Sequence, residues 1–578
     1  MVFHSKHSRV PIVFALTGLA LVLVVASTAY LLTMNPTIRA NTVNITTPDH
    51  AVLPTTDFST TSPIAVENQK PGTTAWMLDP KADLQSMQAY ASAVSALPGQ
   101  QVQVFVSSRQ TMTYRLEVYR TGWYQGKGGY LYLSQANLTS LAQGLWFQTP
   151  GLEGCQSCTT DPITNLTDAH WQSSYTLTIG ATWPTGAYLL KIIGATGAET
   201  YIPLVVRTTT PTAVLVNIPV NTYQAYNVWG NCSLYQCYRN GVNLGAAVKA
   251  TQVSFNRPLL RSVGTGDFLA WDIQNVRWFE RYGLDVSYVT DVDLDQNPQL
   301  FLQHRVFLAV GHDEYWTKPM YDGITTARNQ GVSLGFLGAN DIFWSARLAP
   351  DAENDADRTL VCYKVARYPH APSEKPSNDP DYRTHPSLVT STWSDPLQKR
   401  PEEQMTGLFY EASFSDPHYY PNWDVVDSTS DPLLDGTGLS TGSVVSGGLV
   451  GYEVDGLPIA FPFPSKGVTL LAEEVIVNRY GGKCLAASSY YRDPHSHALV
   501  FDAGTIQWGW GLDGLALPYA WMVNHVGGSP AISRLTENLI NAMLAASPVA
   551  PSTVVHGVRV QGKLASPFLP TTGRFGNQ

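Results

Sequence analysis

Four stretches of this chain place reactive side chains where a hydrophobic run ends. In Val306-Phe-Leu-Ala-Val-Gly-His-Asp-Glu-Tyr-Trp316 the apolar run meets Gly311, then an imidazole, two carboxylates and a phenol. In extended geometry His312 and Glu314 share one side, so one could ligate a metal while the other moves a proton. Asn221-Thr-Tyr-Gln-Ala-Tyr-Asn227 follows a second apolar run. Phenols such as Tyr223 and Tyr226 titrate at about 10 and are poor bases, but a hard trivalent metal binds them as phenolates. Gly338-Ala-Asn-Asp-Ile-Phe-Trp344 offers Asn340, whose amide can orient a carbonyl or support an oxyanion. Gly504-Thr-Ile-Gln-Trp508 begins a glycine-rich stretch that lets backbone approach a ligand, or lets Trp508 and Trp510 pack. The bland alternatives are loop carboxylates that satisfy backbone and aromatics that fill a core.

Two further matches fail on context. Gly438-Leu-Ser-Thr-Gly442 fits the serine-hydrolase pattern, but no hydrophobic strand enters it and no helix leaves it. His495 and His497 beside Asp493 read as a hairpin turn rather than a metal pair.

The elements that must carry these groups change character along the chain. Residues 73–208 alternate in short β-branched runs, such as Val102-Gln-Val-Phe-Val106, and predict an all-β immunoglobulin-like sandwich. Residues 209–547 alternate apolar strands with helical stretches at about 275–282 and 319–329. They predict an α/β doubly wound domain with its site at the carboxyl ends of the strands. An irregular polar insertion is expected over about 362–449. Ser529-Pro530 caps a last amphipathic helix, and residues 548–578 read as a loose tail.

The first 33 residues hold a charge-free apolar run from Pro11 to Thr33, preceded by Lys6 and Arg9. It predicts a transmembrane helix with the bulk of the chain outside the cytoplasm; cleavage as a signal near Ser27-Thr28-Ala29 is the alternative. Residues 34–72, rich in Ser, Thr and Pro, read as a stalk. The six cysteines suggest three bridges, Cys155/Cys158, Cys232/Cys237 and Cys362/Cys484. Of the 578 residues only 14% are charged, and the net charge of −9 comes without basic runs. That excludes nucleic acid as the main partner and is compatible with a large core.

Taken together, Tyr119-Arg-Thr-Gly-Trp-Tyr124, Thr222-Tyr-Gln-Ala-Tyr226, Gly311-His-Asp-Glu-Tyr-Trp316, Phe336-Leu-Gly-Ala-Asn340 and Gly504-Thr-Ile-Gln-Trp508 resemble the large (β) subunit of N,N-dimethylformamidase and its relatives. The resemblance spans roughly residues 65 to 545. It implies an amide hydrolase with a mononuclear Fe³⁺ held by two tyrosines and one glutamate. By motif, Glu314 and Tyr226 are the implied ligands, with Tyr188 as second tyrosine and Tyr223 as its alternative. His312 and Asn340 are the implied supporting or catalytic groups, and His312 or Asp313 would handle the proton. Asp313 departs from the family, which carries Pro between His and Glu, and the family's small subunit is not part of this chain. The expected partners are a small amide substrate, the membrane and, as an option, a second copy in a homo-oligomer. The competing expectation is a non-catalytic surface binding protein with an inherited, metal-free site.

Overall fold

The computed structural model describes residues 61–365, 375–414, 421–427, 430–457 and 467–547. Its amino-terminal part is built from two β-sheets around one core. Met87–Ala91, Gln101–Ser108 and Tyr175–Thr178 form the first. Glu199–Val206, Gly186–Gly194, Met112–Thr121 and Gly129–Ser140 form the second, with Ser95–Ala96 added at its edge. Alternate residues point inward, so Val102, Val104 and Val106 meet Leu116, Val118, Leu190 and Ile192.

The rest of the chain centres on an eleven-stranded sheet. Val286–Thr290, Val214–Ile218, Val306–Gly311, Ser333–Gly338 and Leu499–Asp502 lie side by side and parallel. Each is buried throughout, which is why each reads as a continuous apolar run rather than an alternating one. The sheet then continues antiparallel through Lys483–Arg492 and Val468–Val477 to Trp423–Val425 and Val444–Val445. Glu453–Leu457 and Phe409–Ser413 branch from it, also antiparallel.

This corrects the expected α/β doubly wound domain. Strands far outnumber helices among the described residues, and the sheet is mixed. Antiparallel neighbours need no crossover helix, so the helical alternation seen around residues 306–338 does not extend to the later strands. Three of those strands, Phe409–Ser413, Trp423–Val425 and Val444–Val445, fall where the sequence reads as an irregular insertion.

The membrane anchor is corrected as well. Residues 11–33 lie outside the described residues, and among the described residues no helix is long and apolar enough to cross a membrane. The single-pass, extracytoplasmic placement therefore loses its support. The described end of the presumed stalk is ordered instead: Pro63–Glu67 is a short helix, and its cap Ser62 donates to the Gly283 carbonyl at 2.8 Å. Residues 548–578, read as a tail, lie outside the described residues. Cys155–Cys158 and Cys232–Cys237 are disulfide-bonded, whereas Cys362 and Cys484 are both free and buried, so the third expected bridge is absent.

His304, at the entry to Val306–Gly311, is buried with Nδ1 2.8 Å from the Thr212 carbonyl. Burial disfavours its charged form and lowers the group to about 4. The unfolded chain therefore binds a proton between pH 6.5 and 4 that the folded chain refuses. Stability contributed here is complete above 6.5 and falls by about 3 kcal/mol as the pH drops through that window. Urea denaturation at pH 4 and pH 7 is expected to show a smaller difference for His304→Gln than for the parent. An unchanged difference would refute the assignment.

Candidate active site

The parallel strands deliver their next residues to one edge of the sheet. Val214–Ile218 passes through Pro219 into the short helix Val220–Tyr226. Val306–Gly311 runs into His312-Asp313-Glu314, and Ser333–Gly338 into Ala339-Asn340-Asp341. Gly311 has φ +67°, and a Cβ there would stand 2.1 Å from Asp272 Oδ1, so only glycine fits between strand and cluster. The Glu314 amide donates to Thr222 Oγ1 at 3.0 Å, which ties this loop to the helix bearing Tyr226.

Alternation then sorts the three polar residues. His312 and Glu314 face the site, with His312 Nε2 3.4 Å from Glu314 Oε2. Asp313 turns the other way and accepts from Asn217 Nδ2 at 2.8 Å. Burial pushes its carboxyl up to about 7. The expected catalytic Asp313 is thus not gathered with the other two. Asn340 is gathered: its Nδ2 lies 3.2 Å from His312 Nε2 and donates to Glu453 Oε2 at 2.9 Å. Glu453, at the start of Glu453–Leu457, also stands 3.0 Å from His312 Nε2.

Burial disfavours the His312 imidazolium, but Glu453 and Glu314 outweigh it and lift the group to about 9. Burial likewise opposes the Glu453 carboxylate, and His312 overcomes that and lowers it. For Glu314 burial wins over His312 and Lys364, and its carboxyl is raised.

The phenols group differently from the sequence expectation. Tyr226 does reach the cluster: its ring stacks on that of Tyr235 with centroids 4.3 Å apart and lies 5.5 Å from the His312 ring. Tyr235 donates its hydroxyl to Glu314 Oε1 at 2.5 Å and accepts from the Tyr315 hydroxyl at 2.7 Å. Burial, then Glu314, holds both the Tyr226 and Tyr235 phenols well above their ordinary range. Lys364 Nζ sits 3.1 Å from the Tyr235 ring centroid. Burial lowers that ammonium to about 7 despite the pull of Glu314.

Tyr188 is elsewhere. It belongs to the core between the two amino-terminal sheets, stacks on Trp183 and donates to the Pro184 carbonyl at 2.8 Å. Tyr223, the alternative, donates to Asp272. Neither joins Glu314. Tyr235 and Glu453 were not singled out from the sequence. The one available signal was that Tyr235 lies between two cysteines in Cys232-Ser-Leu-Tyr-Gln-Cys237. Nothing local marks Glu453.

Whether these residues suit a metal turns on donor type. Among the described residues no group of three His, Cys, Asp or Glu side chains could hold an ion. Any metal held at this edge would therefore need phenol donors. Tyr226 and Tyr235 with Glu314 supply an all-oxygen set for a hard, highly charged cation, and Glu314 Oε2 is buried without a hydrogen bond. The residues fit a ferric ion.

No curated protein matches the chain. One similar solved structure is a Paenibacillus sp. cycloisomaltooligosaccharide glucanotransferase complexed with cycloisomaltoheptaose. It is 12% identical, has a TM-score of 0.14, and the match covers 49% of this chain and 34% of that one. Likeness that slight carries no argument, and the match spans about a third of that enzyme's length. The family described as N,N-dimethylformamidase beta subunit-like, C-terminal, matches residues 115–525. That range takes in the strand-end motifs and all five parallel strands, and the chain belongs to this N,N-dimethylformamidase beta subunit-like family.

Proposed function

We propose that the chain is a metal-dependent amide hydrolase in which Tyr226, Tyr235 and Glu314 hold a ferric ion. The observation that carries this reading is the stacking of Tyr226 on Tyr235, whose hydroxyl meets Glu314, beside His312, Glu453 and Asn340. When bound, the ion would supply Lewis acidity toward the amide carbonyl. Asn340 Nδ2, already aimed at the His312–Glu453 pair, orients the substrate oxygen and donates to it as charge develops. Glu453 Oε2 takes a proton from the attacking water as its oxygen bonds to the carbonyl carbon, while the His312 imidazolium beside it holds the carboxylate in place. The same proton goes to the nitrogen as the C–N bond breaks, leaving a carboxylic acid and an amine. A small amide is the substrate class.

The non-catalytic alternative would gain if Glu314 paired with an arginine. Its cationic neighbours are His312 and Lys364 instead.

Iron content and visible absorption of the chain, purified without chelator, test the proposal. One iron per chain with a phenolate charge-transfer band is expected. Glu314→Ala should lose both and Tyr235→Phe should shift the band, while screening of simple amides should detect released amine. A parent protein that stays colourless and metal-free after Fe³⁺ addition would overturn the reading.

A further inference from the structure

Tyr235 stands on neither a helix nor a strand. It is carried by the ring Cys232-Ser-Leu-Tyr-Gln-Cys237, closed by the Cys232–Cys237 disulfide. Inside the ring the Ser233 amide donates to the Gln236 carbonyl at 2.9 Å, and Ser233 Oγ accepts from the Tyr235 amide at 3.2 Å. Outside it, the Leu234 amide donates to the Ala225 carbonyl at 3.0 Å, one residue before Tyr226. The Leu234 side chain is fully buried. Arg257, also buried, donates to the carbonyls of Asn227, Trp229 and Cys232 at 3.0, 2.6 and 3.2 Å. One guanidinium thus gathers the chain between Tyr226 and the ring.

We propose that the Cys232–Cys237 ring is the positioning device of the metal site, presetting the Tyr235 phenol against Glu314 and Tyr226. The inference rests on the reading of Tyr235 as a metal ligand. A phenol on an open loop would have to be ordered each time an ion binds, and that lost freedom weakens binding. The ring removes the freedom beforehand, and its bond to Ala225 puts both phenols in one rigid frame. Closure entropy grows only slowly with loop length, and spread over the unfolding of so long a chain the contribution of one short ring moves melting by only a few degrees. Its effect is local to the site. The positioning residues Cys232 and Cys237 act through Tyr235 and touch no substrate.

The test uses the whole chain in a Cys155→Ser/Cys158→Ser background, so that a single bridge remains. Cys232→Ala/Cys237→Ala is compared with that parent. A second bridge-less form is the parent itself, produced and kept under a dithiol reductant, its thiols counted by alkylation and mass. In that form the Cys232–Cys237 bond takes two electrons and two protons from the dithiol, which becomes a disulfide. Fe³⁺ is added after the reductant is removed under argon. Removal of a group that orients a ligand typically costs about ten- to a hundredfold in metal affinity, and that loss is expected in competition with a chelator. The charge-transfer band should weaken or shift, with melting of the metal-free protein lowered by only a few degrees. Equal iron retention and an identical band in the bridge-less forms would overturn the proposal. So would bridge-less chains that fail to fold, because the ring would then be a folding element. A parent that binds no iron would overturn the metal reading itself, before the bridge is compared.

Discussion

Arg120→Met is expected to destabilise the fold by about 3–5 kcal/mol, the cost of leaving a buried charge without its partner. Arg120 and Glu280 are both fully buried and pair through two contacts, Nη1 to Oε2 at 2.6 Å and Nη2 to Oε1 at 2.7 Å. The guanidinium also donates to the Thr185 carbonyl and to the Tyr124 hydroxyl, while Glu280 accepts from Asn68 and Tyr288. The pair joins strand Met112–Thr121 of the amino-terminal sheets to helix Ile273–Arg281 of the larger part. Gly122 makes the approach feasible, since a Cβ there would stand 2.2 Å from Glu280 Oε2. In the variant the Glu280 carboxylate keeps two neutral donors and loses its cation. The double replacement Arg120→Met/Glu280→Leu should recover much of the loss, because a dry apolar pair needs no charge compensation. Chemical denaturation of parent, single and double variants measures this. A single variant within about 1 kcal/mol of the parent would show that the pair is not what holds the two parts together.

Glu453→Gln is expected to lower kcat by about 10²–10⁴-fold, the usual contribution of a positioned acid–base group, with iron content and absorption unchanged. Glutamine can still accept from Asn340 Nδ2, so the local frame survives. It cannot take a proton from water or hold His312 as the imidazolium that the carboxylate now favours. The separation from Glu314→Ala is what gives the test its force, because that variant should lose the ion itself. If Glu453→Gln keeps full turnover on a substrate found by the amide screen, the proton route through His312 and Glu453 is wrong.

What could be read from the chain alone followed from local physics. His312 and Glu314 share a side because successive residues in extended backbone alternate, and the same alternation removes Asp313 from the cluster. The parallel strands announced themselves as unbroken apolar runs because both their faces are covered. Asn340 lies just past such a strand, and Tyr226 ends the short helix that follows another. Family membership was legible too, since its signatures are short contiguous strings, among them the Tyr119–Tyr124 text whose Arg120 forms the buried pair.

Tertiary structure decided the rest, because contacts between distant segments leave no local trace. Tyr188 and Tyr223 are as plausible by type as Tyr235, yet one fills a β core and the other faces Asp272. Glu453 reaches His312 only because an antiparallel strand, added beyond the parallel ones, begins beside it. Cys362 and Cys484 are unbridged although Cys232 and Cys237 pair, since bridging needs proximity and not only a matching count. Composition and periodicity determined which runs are buried and which strand ends gather polar side chains. Packing of the mixed sheet chose which of several equivalent phenols and carboxylates face one another across the site.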